Sequence, residues 1–157
     1  MASAELNDDF VDLLQAFLDA DVEFVVVGAH ALAAHGIARA TGDIDILVRR
    51  STGNAARVLK ALVMFGAPVA AHGITAADFT VPDNVYQIGL PPRRIDILTG
   101  ISGVEFDEAD SGKITSHVSG LTLPFLGLDT LIKNKRASAR PKDLLDIAAL
   151  EQLRPSS

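Results

Sequence analysis

Two short runs, DIDILV at residues 43–48 and RIDILT at residues 94–99, alternate ionisable and branched apolar residues. A period of two is the signature of a strand whose two faces differ. Asp43 and Asp45 then share one face while Ile44 and Ile46 take the other, and Asp96 stands likewise between Ile95 and Ile97. If the two strands lie side by side, the isoleucines enter the core and the aspartates converge on one side of the sheet. Carboxylates within a few ångströms of each other repel and raise one another's pKa, so a convergent set points to bound cations. Paired ions on such a set activate a hydroxyl and neutralise a triphosphate, the chemistry of phosphoryl and nucleotidyl transfer. The plainer alternative is that each aspartate ends a strand or pairs with Arg39, Arg93 or Arg94.

The rest of the chain supplies partners for those strands. DDFVDLLQAFLDA spaces Phe10, Leu13, Leu14, Phe17 and Leu18 as a helix does, with Asn7 or Asp8 as a cap. EFVVVG reads as a buried strand ending at Gly28, followed by a short alanine-rich helix, AHALAAHG. After DIDILV, Ser51 or Thr52 caps a helix carrying Val58, Leu59, Leu62, Val63 and Phe65 that stops at Gly66. Residues 67–83 lack a period, apart from a helical turn near 75–79. VYQIGL and RIDILT form a hairpin with Pro91-Pro92 in its turn, KITSHV and LTLPFL a further strand pair. Two helices, 128–137 and 141–153, close the chain, with Pro141 in the first turn of the last. Early alternation of strand and helix followed by neighbouring strands predicts an α/β (α+β) architecture: one mixed sheet flanked by helices. At 157 residues a single domain, 1–157, is expected.

Composition narrows the chemistry. There is no cysteine, so a metal would be held by carboxylates, carbonyls or histidine, which favours hard cations such as magnesium. The start MASAELNDDF is acidic where a signal peptide is basic, and no apolar run reaches bilayer length, so a cytoplasmic protein without a membrane partner is expected. A net charge of -6 argues against a generally basic nucleic-acid surface. Basic charge is nevertheless clustered: Lys133, Lys135, Arg136, Arg140 and Lys142 crowd one short stretch.

Gly28, between strand and helix, offers unpaired backbone N–H groups where an anion is favoured. Alone it is weak, since it fits neither dinucleotide nor Walker patterns. The combination VVVGAHALAAHGIARATGDIDILV, RIDILTG and LIKNKRASARPKDLLDIAALE is more specific. It resembles the minimal nucleotidyltransferases of the DNA polymerase beta superfamily, especially the bacterial abortive-infection and toxin-antitoxin types. That family's pattern is a hydrophobic strand, a glycine turn, Asp-hydrophobic-Asp after about a dozen residues, and a third acid on a later strand. Gly28, Asp43, Asp45 and Asp96 occupy those positions, and the likeness runs from Phe24 to Leu150. Ala29 departs from it, standing where the family has Gly or a hydroxyl donor.

The resemblance implies a nucleotidyltransferase fold in which Asp43, Asp45 and Asp96 hold Mg2+ or Mn2+ and Asp96 serves as general base. It implies nucleotide contacts from Gly28, Ala29, Arg39, Lys135 and Arg140, and His30, beside the turn, is a further candidate. Lys142 and Asp146 read as a solvated helix end and His35 as structural, while His72 and His117 carry no signal. The expected reaction moves a nucleoside monophosphate from an NTP to a hydroxyl of RNA (tRNA included), protein or a small molecule. Two other readings stand beside it. One is an inactive nucleotide-binding or toxin-antitoxin interaction module, which Ala29 would permit; the other is an antibiotic-type small-molecule enzyme. A cognate antitoxin or a second copy of the chain is the expected protein partner.

Overall fold

A computed structural model describes residues 6–37 and 42–154. The sheet is built of β1 (Phe24–Val27), β2 (Ile44–Val48), β3 (Val85–Ile88), β4 (Ile95–Leu98), β5 (Ile114–Val118) and β6 (Leu121–Phe125). Its spatial order is β3-β4-β2-β1-β6-β5. The hairpins β3–β4 and β5–β6 are antiparallel, as is β1–β2, whereas β2–β4 and β1–β6 are parallel. The sheet is therefore mixed, as the sequence predicts.

Helices cover both faces: α1 (Asp8–Asp19), α2 (Gly28–Ala34), α3 (Thr52–Phe65), α4 (Phe106–Ser111), α5 (Leu128–Ser138) and α6 (Pro141–Glu151). Phe24 and Val26 of β1, with Ile44, Ile46, Ile95 and Ile97, pack on the α1 and α3 side. Val25, Val27 and Leu47 enter a second core with α2, α4, α5 and α6. β1 is thus buried on both faces, which is why EFVVVG is continuously apolar where β2 alternates. The caps follow from local chemistry: the Asn7 side chain accepts from Phe10 N–H at 3.0 Å, and Ser51 accepts from Asn54 N–H at 3.2 Å.

Asn54, at the start of α3, is fully buried. Its amide donates to the carbonyls of Glu23 and Arg49 at 3.0 and 2.9 Å and accepts from Glu23 N–H at 2.7 Å. One side chain thereby ties α3 to the ends of β1 and β2. The stretch 67–83 is irregular but for the 3-10 turn Ala76–Phe79, and it buries Ala67, Val69 and Phe79. The helices differ from expectation in places. α6 ends at Glu151, two residues short of the predicted Leu153, and α4 is unforeseen because FDEADS carries too few apolar residues to show a period. Among the described residues no helix is long and apolar enough to cross a membrane.

Candidate active site

The parallel pairing of β2 with β4 sets Asp45 directly opposite Asp96, and Ile44 and Ile46 opposite Ile95 and Ile97. Both acids lie on the side of the sheet shared with Leu47, toward α2, α5 and α6. Asp43 immediately precedes β2. Its Oδ1 accepts from Arg94 N–H at 3.0 Å, which fixes it beside the start of β4. The three predicted carboxylates do converge, and with Gly28 and Ala29 they line a cleft of about 690 Å3.

Gly28 is required by geometry. Its φ is +70°, and a Cβ there would stand 2.5 Å from Asp45 Oδ2. The backbone at the turn can approach the carboxylate only because the residue has no side chain. Asp45 is strongly disturbed. Burial raises its carboxyl to about 6, assisted by the hydrogen bond with Asp96 and the negative charges of Asp96 and Asp43, against a lowering pull from Arg94.

Arg94 acts as an internal counter-ion. Its Nε and Nη2 donate to Asp96 Oδ1 and Oδ2 at 2.8 and 3.2 Å, and Nη2 lies 3.4 Å from Asp43 Oδ2. The arginine pairing weighed as the plainer reading thus coexists with convergence of the acids. Among the described residues no group of three His, Asp or Glu side chains is already gathered as a metal-binding set. The donor chemistry nonetheless suits a hard divalent cation: the cleft offers carboxylate oxygens, and among the described residues Arg94 forms its ion pairs with Asp43 and Asp96 rather than with Asp45.

Cations from α5 and α6 face the acids across the cleft, where Lys135, Arg140 and Lys142 lie along the wall. Lys135 is buried, its Nζ 3.3 Å from Asp143 Oδ1 and 3.2 Å from Asp146 Oδ2. Burial lowers its ammonium from the ordinary lysine value, and hydrogen bonding and charge from Asp143 oppose that shift. Asp143 is itself fully enclosed. Burial pushes its carboxyl up, but hydrogen bonds from the Arg140 side chain and backbone and from Lys135 outweigh this and hold it well below the usual range. The expectation of a solvated helix end agrees with Lys142, which is exposed on the cleft wall, but is corrected for Asp146, which is 3 % exposed and bound into the ion pair with Lys135. Sequence periodicity hid this because α6 is short and presents two aspartates three residues apart to the α5 side.

The histidines separate. His35 Nε2 lies 2.8 Å from the Leu126 carbonyl, a structural tie between α2 and the end of β6. His30 does not line the acidic cleft. It packs edge-on against Phe10, with ring centroids 5.9 Å apart, and borders a smaller cavity on the α1 side. Burial lowers its pKa, against a hydrogen bond to the Asp43 backbone. Arg39 lies outside the described residues. At the far end of β2 a third cavity, of about 430 Å3, contains Arg49, which is engaged by Glu23, Asp107 and the Phe106 ring. Asp83, Glu105 and Asp107 also line it, and Asp107 is paired with Arg49.

The six-stranded mixed sheet flanked by helices is a nucleotidyltransferase fold. A crystal structure from Thermotoga maritima, of a protein provisionally assigned as a nucleotidyltransferase, matches it with a TM-score of 0.56 over 97% of each chain, at 14% sequence identity. At that identity the likeness is one of fold. No protein-family model matches the sequence, and no curated protein does.

Proposed function

We propose that this chain is a metal-dependent nucleotidyltransferase that moves a nucleoside monophosphate from an NTP to a hydroxyl. The observation that carries the reading is the pairing of Asp45 with Asp96 on adjacent parallel strands, under the Gly28 turn and across the cleft from Lys135 and Arg140. Asp43, Asp45 and Asp96 would hold Mg2+ or Mn2+, which supplies Lewis-acid neutralisation of the triphosphate. The Gly28–Ala29 turn, Lys135 and Arg140 bind and orient the phosphates, with Arg39 as a further ligand. Asp96 accepts the proton of the attacking hydroxyl once Arg94 has released it. The cationic wall of α5 and α6 favours RNA, tRNA included, over a small uncharged acceptor, and the resemblance of the motifs suggests the abortive-infection or toxin-antitoxin type.

A second reading is supported by Arg94, which already neutralises Asp96 and Asp43 from within the chain. Together with Ala29 it suits a protein that binds nucleotide without turning it over, as one half of a toxin-antitoxin pair. Calorimetric titration of a non-hydrolysable NTP, with and without Mg2+, tests both. Metal-dependent binding that disappears in Asp45→Asn supports the acid site, and label transfer from NTP to RNA then separates enzyme from binding module. Absence of binding to the wild-type protein would refute the nucleotide reading for the chain alone.

A further inference from the structure

β3 is an outer strand of the sheet, and its two faces differ. Tyr86 and Ile88 pack into the core on the α1 and α3 side, so Val85 and Gln87 point to the face that carries the acids. The register agrees: Gln87 stands opposite Asp96, and Val85 opposite Leu98. Directly opposed residues of an antiparallel pair share a face, with Cβ atoms about 4.5–5.5 Å apart. One row across the sheet therefore reads Gln87, Asp96, Asp45 on β3, β4 and β2. Among the described residues none of β3 enters the core formed with α2, α4, α5 and α6. Val85 is 47 % exposed on that open face, and Gln87 is exposed beside it.

The two ends of this row have different chemistry. Toward β1 lie the Gly28 turn and the cations of α5 and α6, which the nucleotide reading gives to the triphosphate. Toward β3 the cleft is bounded by Pro91 and Pro92 of the β3–β4 turn, and beyond Asp96 the strand offers an uncharged amide and a valine. In such a transfer the attacking and leaving oxygens stand roughly in line about the phosphorus. With pyrophosphate drawn toward the cations, the acceptor hydroxyl comes from the β3 side, past Asp96. Its oxygen forms the bond to the α-phosphorus as the bond to pyrophosphate breaks. The hydroxyl proton passes to Asp96, and pyrophosphate leaves with the electron pair.

We propose that β3 forms the acceptor side of the cleft, and that Gln87 hydrogen-bonds the 2′-hydroxyl of a terminal RNA ribose whose 3′-hydroxyl reacts. The inference rests on the nucleotidyl-transfer reading of the cleft and names the part of the acceptor that reading leaves open. A glutamine amide offers an acceptor oxygen and N–H donors. The ribose 2′-hydroxyl both donates and accepts, and it is the group by which a protein tells RNA from DNA. A terminal ribose carries its two hydroxyls side by side, so one meets Asp96 while the other meets Gln87, the next residue in the row. A deoxyribose end supplies only the first contact, as does a serine or threonine side chain of a protein acceptor.

The chain has no cysteine, so Gln87→Cys introduces a single thiol at an exposed position. Its alkylation by a neutral maleimide is followed with Mg2+ and a non-hydrolysable NTP, with and without a short oligoribonucleotide. His117→Cys, exposed on β5 at the opposite edge of the sheet, is the control. At about ten times its Kd the oligonucleotide should slow alkylation of Gln87→Cys roughly tenfold and leave His117→Cys unchanged. Fluorescence anisotropy of the 5′-labelled oligonucleotide gives a second readout. On wild type a 2′-deoxy terminal residue should weaken binding about tenfold, the scale of one lost hydrogen bond, whereas Gln87→Ala should bind the two ends alike. Absence of oligonucleotide binding, unchanged alkylation of Gln87→Cys, or equal discrimination by wild type and Gln87→Ala overturns the acceptor side, while Mg2+-NTP binding still supports the cleft. A wild type that binds neither Mg2+-NTP nor the oligonucleotide refutes the cleft reading and this inference together.

Discussion

Gly28 and Asp45 are matched to each other at atomic distance. In Gly28→Ala the added methyl meets Asp45 Oδ2 at 2.5 Å on a backbone with φ of +70°. The substitution is expected to destabilise by about 1–3 kcal/mol, read from the urea midpoint, and to abolish NTP binding. Asp45 makes an opposite prediction for stability. Its folded carboxyl sits near 6 against an ordinary 3.8, so the folded state holds the extra proton between those values and loses stability as pH rises through that window. In metal-free buffer Asp45→Asn should therefore be more stable than wild type at pH 7, with the gap closing as pH falls from 6 toward 4. Urea titrations across that range check the sign. The carboxylates were legible in the sequence because strand alternation alone assigns their side of the sheet. The Gly28 contact was not, since a glycine after a strand says nothing about which side chain it faces.

The α5–α6 pair is held by charge as well as by Leu131, Ile132 and Leu150. Removing one partner from a buried ion pair leaves the other charges uncompensated, at a cost of about 3–5 kcal/mol. Lys135→Met removes the ammonium shared by Asp143, which keeps Arg140, and Asp146, and should lower the unfolding free energy by up to that amount, whereas adding Asp146→Asn should restore part of it. Denaturant unfolding of the single and double variants measures both. Asp143 gives the acid limb of the same element. Its depressed carboxyl contributes stability above the ordinary carboxylate range that is lost as pH falls toward its low folded value, so Asp143→Asn should flatten the fall in stability below about pH 4. Element identities were readable wherever a period ran long enough, as in α1, α3 and β2. α4 has one buried apolar residue, Ala109, and so offered no period to read.

For the molecule as a whole, ligand binding should register as folding stability. If the acids and cations act together on Mg2+-NTP, a concentration one hundred times Kd adds about 2.7 kcal/mol, or roughly 5–10 °C in Tm at this chain length. Neither Mg2+ nor NTP alone should produce that shift, and Asp45→Asn should lose it; a melting series measures all four conditions. The sheet order explains the dependence on both strands: β4 returns beside β2 with β3 outside it, so two acids far apart in sequence become direct neighbours.

The sequence by itself determined the alternating strands, their two-sided chemistry, the helix caps and the acid set, because each depends on spacing within a few residues. Tertiary structure alone decided the partners. It gave Arg94 to Asp96 and Asp43, enclosed Asp143 and Asp146 around Lys135, and packed His30 against Phe10 rather than among the acids. Those pairings join residues across strands, helices and loops, and their energies depend on distance and burial, which local spacing does not encode.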